Sequence, residues 1–251
     1  MDVRVTGNGP AAPFLGARDV FETEFDLERP VVVRVRDDPD ERTYAGHHPD
    51  HHVLNISRAA ATSAMARELA LHEFAHMHRY EADHASHVLE TEEVLYLSLA
   101  GTRIERRVLH HCYQLANHAK DIYADDITLS VGPTEKLVAF LESELAAAIA
   151  DRPSGGRGQR ITPAADPQLT AVNAAFALAL LERHDAVTRP HPIYDLAHAA
   201  AEDAPTIDLG AFKRRFRDLG PDPDESEYRR ALADVVRTYV DARGGTTSAS
   251  D

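Results

Sequence analysis

The chain has 251 residues and a formal net charge of −14, from 41 acidic and 27 basic side chains, and Lys120, Lys136 and Lys213 are its only lysines. That length can bury a core in one large or two modest domains; the acidic, lysine-poor surface suits concentrated salt and offers no basic stripe for phosphates, which argues for a halophilic source and excludes a nucleic-acid partner. One cysteine, Cys112, excludes an internal disulfide, and with neither a signal pattern nor a long apolar run the expectation is a cytoplasmic protein without membrane spans.

Gly7, Gly9, Pro10, Pro13 and Gly16 punctuate the first 29 residues and predict an irregular opening. Residues 30–36 alternate and are rich in valine, which predicts a strand, and a second short strand is expected over 52–56. These two would form part of a small sheet. Residues 58–80 are alanine-rich, contain neither Gly nor Pro and follow Ser57 as an N-cap, so they predict one helix. Met65, Leu69, His72 and His76 fall on one stripe of it and are expected to face inward. A loop over 83–87 then leads to helices at 91–100, 102–129 and 134–150. The Gly-rich run that follows predicts a flexible linker over 151–163. Further helices are expected near 167–185, 194–203, 209–219 and 224–242, ahead of a frayed tail. The fold class expected is α+β and mostly helical. Residues 1–150 would carry a metal site, and 164–243 would form a helical C-terminal region.

The chemistry concentrates in His72-Glu73-Phe74-Ala75-His76, an H-E-x-x-H inside the predicted helix. Imidazoles four residues apart lie about 6 Å apart along a helix axis and can reach one ion, while Glu73 can act as general base toward a bound water. A catalytic zinc takes three protein ligands and leaves a position for water. On the helix at 102–129, His110, Gln114, Asn117, Asp121 and Asp125 form a polar stripe. From it Asp121 is the candidate third ligand, and Asp125 the candidate to fix the tautomer of a ligating histidine.

His72-Glu73-x-x-His76 followed by Asp121-x-x-Ala124-Asp125 resembles the gluzincin type of zinc metallopeptidase, whose E-x-x-A-D supplies the third ligand and a supporting aspartate. The resemblance covers the two helices around 65–80 and 117–126, and the chain as a whole resembles an uncharacterised haloarchaeal family. What the resemblance implies is a zincin-like domain with a small N-terminal sheet, an edge strand holding extended substrate, a bound Zn2+ and hydrolysis of a peptide or protein substrate. Three features depart from the pattern. Asp121 stands where gluzincins have Glu, His78 stands where an apolar residue is usual, and the membrane helices common among E-x-x-A-D peptidases are absent. Gly101-Thr102 also resembles the signature of zincins with an aspartate ligand, but Glu105 occupies the aspartate position and ranks below Asp121.

Other histidines have blander readings. His47, His48, His51 and His52 surround Pro49 and Asp50, as an exposed turn would, and His84 and His87 read the same way. His110 and His111 have no assigned task, whereas His118 or Tyr123 could stabilise an oxyanion. Cys112 and the run from Ala174 to Leu181 are expected in the core. Two other functional classes fit the same residues. One is a non-catalytic zincin-like module that binds or regulates a partner protein. The other is a di-iron carboxylate protein, since Glu73-x-x-His76 and Glu81-x-x-His84 both match E-x-x-H.

Overall fold

The computed structural model describes residues 1–38, 41–151 and 166–244. Among these the chain forms four strands and eleven helices, a mostly helical α+β fold. It divides into two compact units, Met1–Val88 with Tyr123–Lys136, and Leu89–Ile122 with Leu137–Asp251. Asp151 apart, the linker expected over 151–163 lies outside the described residues.

The first unit contains β1 (Val3–Gly7), α1 (Ala12–Phe21), β2 (Val31–Arg36), β3 (Tyr44–His47) and β4 (His52–Ser57). After them come α2 (Arg58–Ala61), α3 (Ala66–Glu81), α4 (Ala85–Val88) and the C-terminal part of α6 (Arg106–Val131). The sheet order is β1-β2-β4-β3. β1 and β4 both run parallel to β2, and β3 is an antiparallel edge strand on β4. In β2 the side chains of Val31, Val33 and Val35 are buried while Arg34 and Arg36 point to solvent, the two-residue period read in the sequence. β1 ends at Gly7, whose φ is +89° and where an added Cβ would stand 2.3 Å from Val35 O, so only glycine allows this approach of the two strands.

The opening residues are more regular than expected. Pro13 falls in the first turn of α1, where a missing N–H costs nothing. The single helix expected over 58–80 is interrupted. Ser57 Oγ accepts Ala60 N–H at 3.1 Å to start α2, then Thr62 Oγ1 and Ser63 Oγ donate to Arg58 O (3.0 Å) and Ala60 O (2.8 Å). These hydroxyls bond carbonyls of α2, and a separate helix begins at Ala66.

α3 turns Ala70, Leu71, Phe74 and Met77 into the core, against Phe14, Ala17 and Phe21 of α1 and the valines of β2. Phe74 and Phe21 meet edge to face with centroids 6.0 Å apart. Ala124 and Ile127 of α6 belong to the same core, and Arg79 Nε donates to Tyr123 O at 3.0 Å. These contacts fix the rotation of α6 within this unit. Met65, Leu69, His72 and His76 are only half-buried, so the histidine stripe flanks the core face of α3 instead of forming it.

The second unit contains α5 (Thr91–Ser98), the N-terminal part of α6, α7 (Thr134–Ala150) from Leu137 onward, α8 (Pro167–Arg183), α9 (Pro192–Glu202), α10 (Leu209–Arg217) and α11 (Glu225–Gly244). α8 is buried along most of its length, including Ala174–Leu181, and packs on α9 and on Leu145 of α7. Asp166 caps α8 by accepting Gln168 N–H at 3.1 Å, and it also accepts from Arg107 Nε at 2.7 Å and lies 2.9 Å from His111 Nε2. Burial opposes the charge of Asp166, but the His111 and Arg107 contacts outweigh it and hold the carboxyl well below its ordinary range. Among the described residues no helix is long and apolar enough to cross a membrane.

Candidate metal centre

His72 and His76 are one turn apart on α3, with ring centroids 4.6 Å apart and planes at 85°. Their Nε2 atoms face each other at 3.0 Å. His72 Nδ1 lies 2.7 Å from Asp125 Oδ1, and His76 Nδ1 lies 2.7 Å from His87 Nε2. Each ring therefore has its Nδ1 held and its Nε2 directed toward the other.

Asp121 is four residues before Asp125 on the uninterrupted α6, so the two carboxylates share a helix face. One ligand atom each from His72, His76 and Asp121 lies within 4.8 Å of the other two, a group that can hold a metal ion. The donor set fits a divalent metal, because two imidazole nitrogens and one carboxylate oxygen suit zinc, iron and similar ions. A carboxylate on the far nitrogen of His72 is the support that metal-bound histidines ordinarily have. The side chains of His72 and Asp121 are each 25% exposed, whereas that of Asp125 is 7% exposed. The candidate ligands are thus reachable from solvent and the supporting carboxylate is not. Glu73, between the histidines in sequence, is buried.

The remaining residues singled out in the sequence lie elsewhere. Glu105 is exposed just ahead of α6 and outside the group. His110 is exposed, and His111 contacts Asp166 and Tyr239. His118 stacks on Phe176 with centroids 4.2 Å apart, places Nε2 2.8 Å from Asn173 Oδ1, and has Nδ1 3.7 Å from Asp121 Oδ2. The Tyr123 ring is fully buried against His84.

Two expectations about histidines are corrected. His47 and His52 are paired across β3 and β4, and His52 is fully buried with Nδ1 3.0 Å from His47 Nδ1 and Nε2 3.0 Å from Glu81 Oε1. That half of the cluster belongs to a hairpin and not to an exposed turn. Glu81 also accepts the backbone N–H groups of Glu28 and Arg29, at 2.8 and 2.9 Å, so it ties α3 to the start of β2. Likewise His84 is buried and His87 reaches His76. Sequence reasoning missed His87 because Asp83, at φ 51°, turns the chain back after α3 and brings α4 alongside it. No periodicity announces that return.

The chain belongs to a family of unknown function, DUF5781, whose model matches residues 1–241. No curated protein and no solved structure shows significant similarity to it.

Proposed function

For this member of DUF5781 we propose the activity of a zinc-dependent peptidase, with His72, His76 and Asp121 as the metal ligands and Glu73 as the general base. The observation that carries this reading is the convergence of the three ligand atoms on an H-E-x-x-H helix, with Asp125 locking the outer nitrogen of His72. The residues present fit zinc, which takes His and carboxylate ligands and, when bound, polarises a carbonyl oxygen and acidifies water.

The side chains have separate tasks. His72 and His76 present Nε2, and Asp125 keeps the proton of His72 on Nδ1. Asp121 adds the negative charge that a dication requires. Glu73 takes a proton from the attacking water and passes it to the departing amine nitrogen. β3, antiparallel at the sheet edge, is the strand on which an extended peptide would add by backbone pairing.

The test is Glu73→Gln beside the parent chain in a screen of proteome-derived peptides, with and without chelator and in high salt. Cleavage by the parent that chelator stops, together with an inactive Glu73→Gln that still binds zinc, supports the reading. A Glu73→Gln that cleaves like the parent removes Glu73 from its role. A parent that binds zinc and cleaves nothing would instead match a zincin-like module that binds a partner protein.

A further inference from the structure

We propose that Ser86 and His87 are positioning residues that keep a proton on Nδ1 of His76, through a hydrogen-bond chain whose direction is set by the backbone amide of Ser86. The inference rests on the reading of His72, His76 and Asp121 as a metal site, and it adds residues to that site that no zinc-binding motif in the sequence contains.

With neutral rings, every link of the chain follows from the one before it. His84 is buried, and its Nδ1 accepts the backbone N–H of Ser86 at 3.3 Å, so that nitrogen carries no proton. Ser86 Oγ lies 2.7 Å from the same nitrogen, so the hydroxyl donates to it. With its only hydrogen used there, Oγ accepts from His87 Nδ1, also 2.7 Å away. A neutral imidazole protonated on Nδ1 has its lone pair on Nε2, and His87 Nε2 stands 2.7 Å from His76 Nδ1. His76 is therefore the donor in that contact, and its own lone pair is on Nε2.

His72 is oriented from the opposite side. The Asp125 carboxylate only accepts, so it takes the Nδ1–H of His72 at 2.7 Å and leaves that ring's lone pair on Nε2. The two chains thus bring two lone pairs to face each other across 3.0 Å. Such an arrangement is stabilised by a cation, and two metal–nitrogen bonds of about 2.0–2.1 Å can span it. A carboxylate thus orients one imidazole, and an amide-anchored Ser–His relay orients the other. Reversing the Ser86–His87 or the His87–His76 link would put a proton on His76 Nε2, where the ion has to bind.

The experiment is long-range 1H–15N NMR of the full chain with 15N-labelled histidine, metal-free and with zinc, alongside zinc affinity by competition with a chromophoric chelator. The parent is expected to show His76 protonated on Nδ1 in both states. His87→Leu, which cannot accept that proton, is expected to lose about 10–100-fold in zinc affinity. His87→Gln, whose amide oxygen can accept it, should stay close to the parent. Ser86→Ala should give His76 and His87 mixed tautomers, and with His87→Gln it preserves the test if His87→Leu does not fold. A His76 protonated only on Nε2 in the metal-free parent overturns the proposal. So does a His87→Leu that binds zinc like the parent with Nδ1 still protonated, and in that case the metal site itself stands. A parent that takes up no zinc would remove the metal reading, while the tautomer spectrum would still decide the direction of the chain.

Discussion

His72 and Asp125 are 53 positions apart in the sequence and 2.7 Å apart in the structure, ring nitrogen to carboxylate oxygen. The bond decides which nitrogen of His72 is left for an ion, so its loss should be felt as affinity more than as stability. Asp125→Ala is expected to weaken zinc binding by about 10–100-fold. Asp125→Asn should do less harm, because an amide oxygen can still accept the ring proton. Competition titration against a chromophoric chelator checks both, and an Asp125→Ala affinity equal to the parent's would disconnect this carboxylate from the site.

An ion bound only by the folded chain must raise its stability. Zinc at about 100 times its dissociation constant should add about 2.7 kcal/mol, seen in calorimetry as a higher melting temperature that chelator reverses. The His72→Ala, His76→Ala double variant should melt at one temperature whether or not zinc is present. A zinc-dependent shift that survives in that variant would place the ion elsewhere.

Acid should loosen the first unit at the His52–Glu81 pair. Burial pushes the His52 imidazole below its ordinary value of 6.5, with Glu81 only partly opposing it. Burial also works against the charge of Glu81, yet the amides of Glu28 and Arg29 together with His52 hold its carboxyl below the ordinary 4.5. Both folded values are lowered, so both contributions are present in full above the unfolded values and are lost as the pH falls. Urea midpoints should decline from near pH 6.5 through His52, then further below pH 4.5 as Glu81 is protonated. His52→Gln should flatten the upper part of that decline. An unchanged pH profile in this variant would clear His52 of the effect.

Cys112 should be inert in the native protein. It is fully buried, and burial pushes its thiol up to about 11, so very little thiolate exists at neutral pH. A chromogenic disulfide reagent should leave it unmodified until denaturant unfolds the second unit, with labelling and unfolding sharing a midpoint. Rapid labelling without denaturant would contradict its placement on the inner face of α6.

The legible parts of the fold are those whose signal is local. β2 and β4 declared themselves by β-branched residues, α3 and α6 by long stretches without Gly or Pro, and the candidate metal group by the spacing of His72 and His76 on one helix and of Asp121, with its neighbour Asp125, on another. β1 and α1 were not legible, because Pro13 and Gly16 look like loop punctuation until Pro13 is seen in the first turn of a helix. β3 is four residues long and overlaps a histidine-rich turn. The break after α2 depends on two hydroxyls choosing backbone carbonyls, a choice that composition does not reveal. His84, Ser86 and His87 lie in a segment that reads as polar loop, and their part emerges only when α4 doubles back on α3.

The first unit is discontinuous, since the chain leaves it at Val88 and returns at Tyr123. On the ribosome, the first 88 residues emerge carrying the motif histidines but lacking Ala124 and Ile127 to close their core, Asp121 of the candidate metal group and Asp125 that supports His72. The nascent polypeptide must be extended by 35 residues, from Val88 to Tyr123, before that face of the unit can begin to be covered. A gene fragment stopped at Val88 would inherit the same gap permanently. A minimal version of this unit would need residues 123–136 spliced back through a new connection.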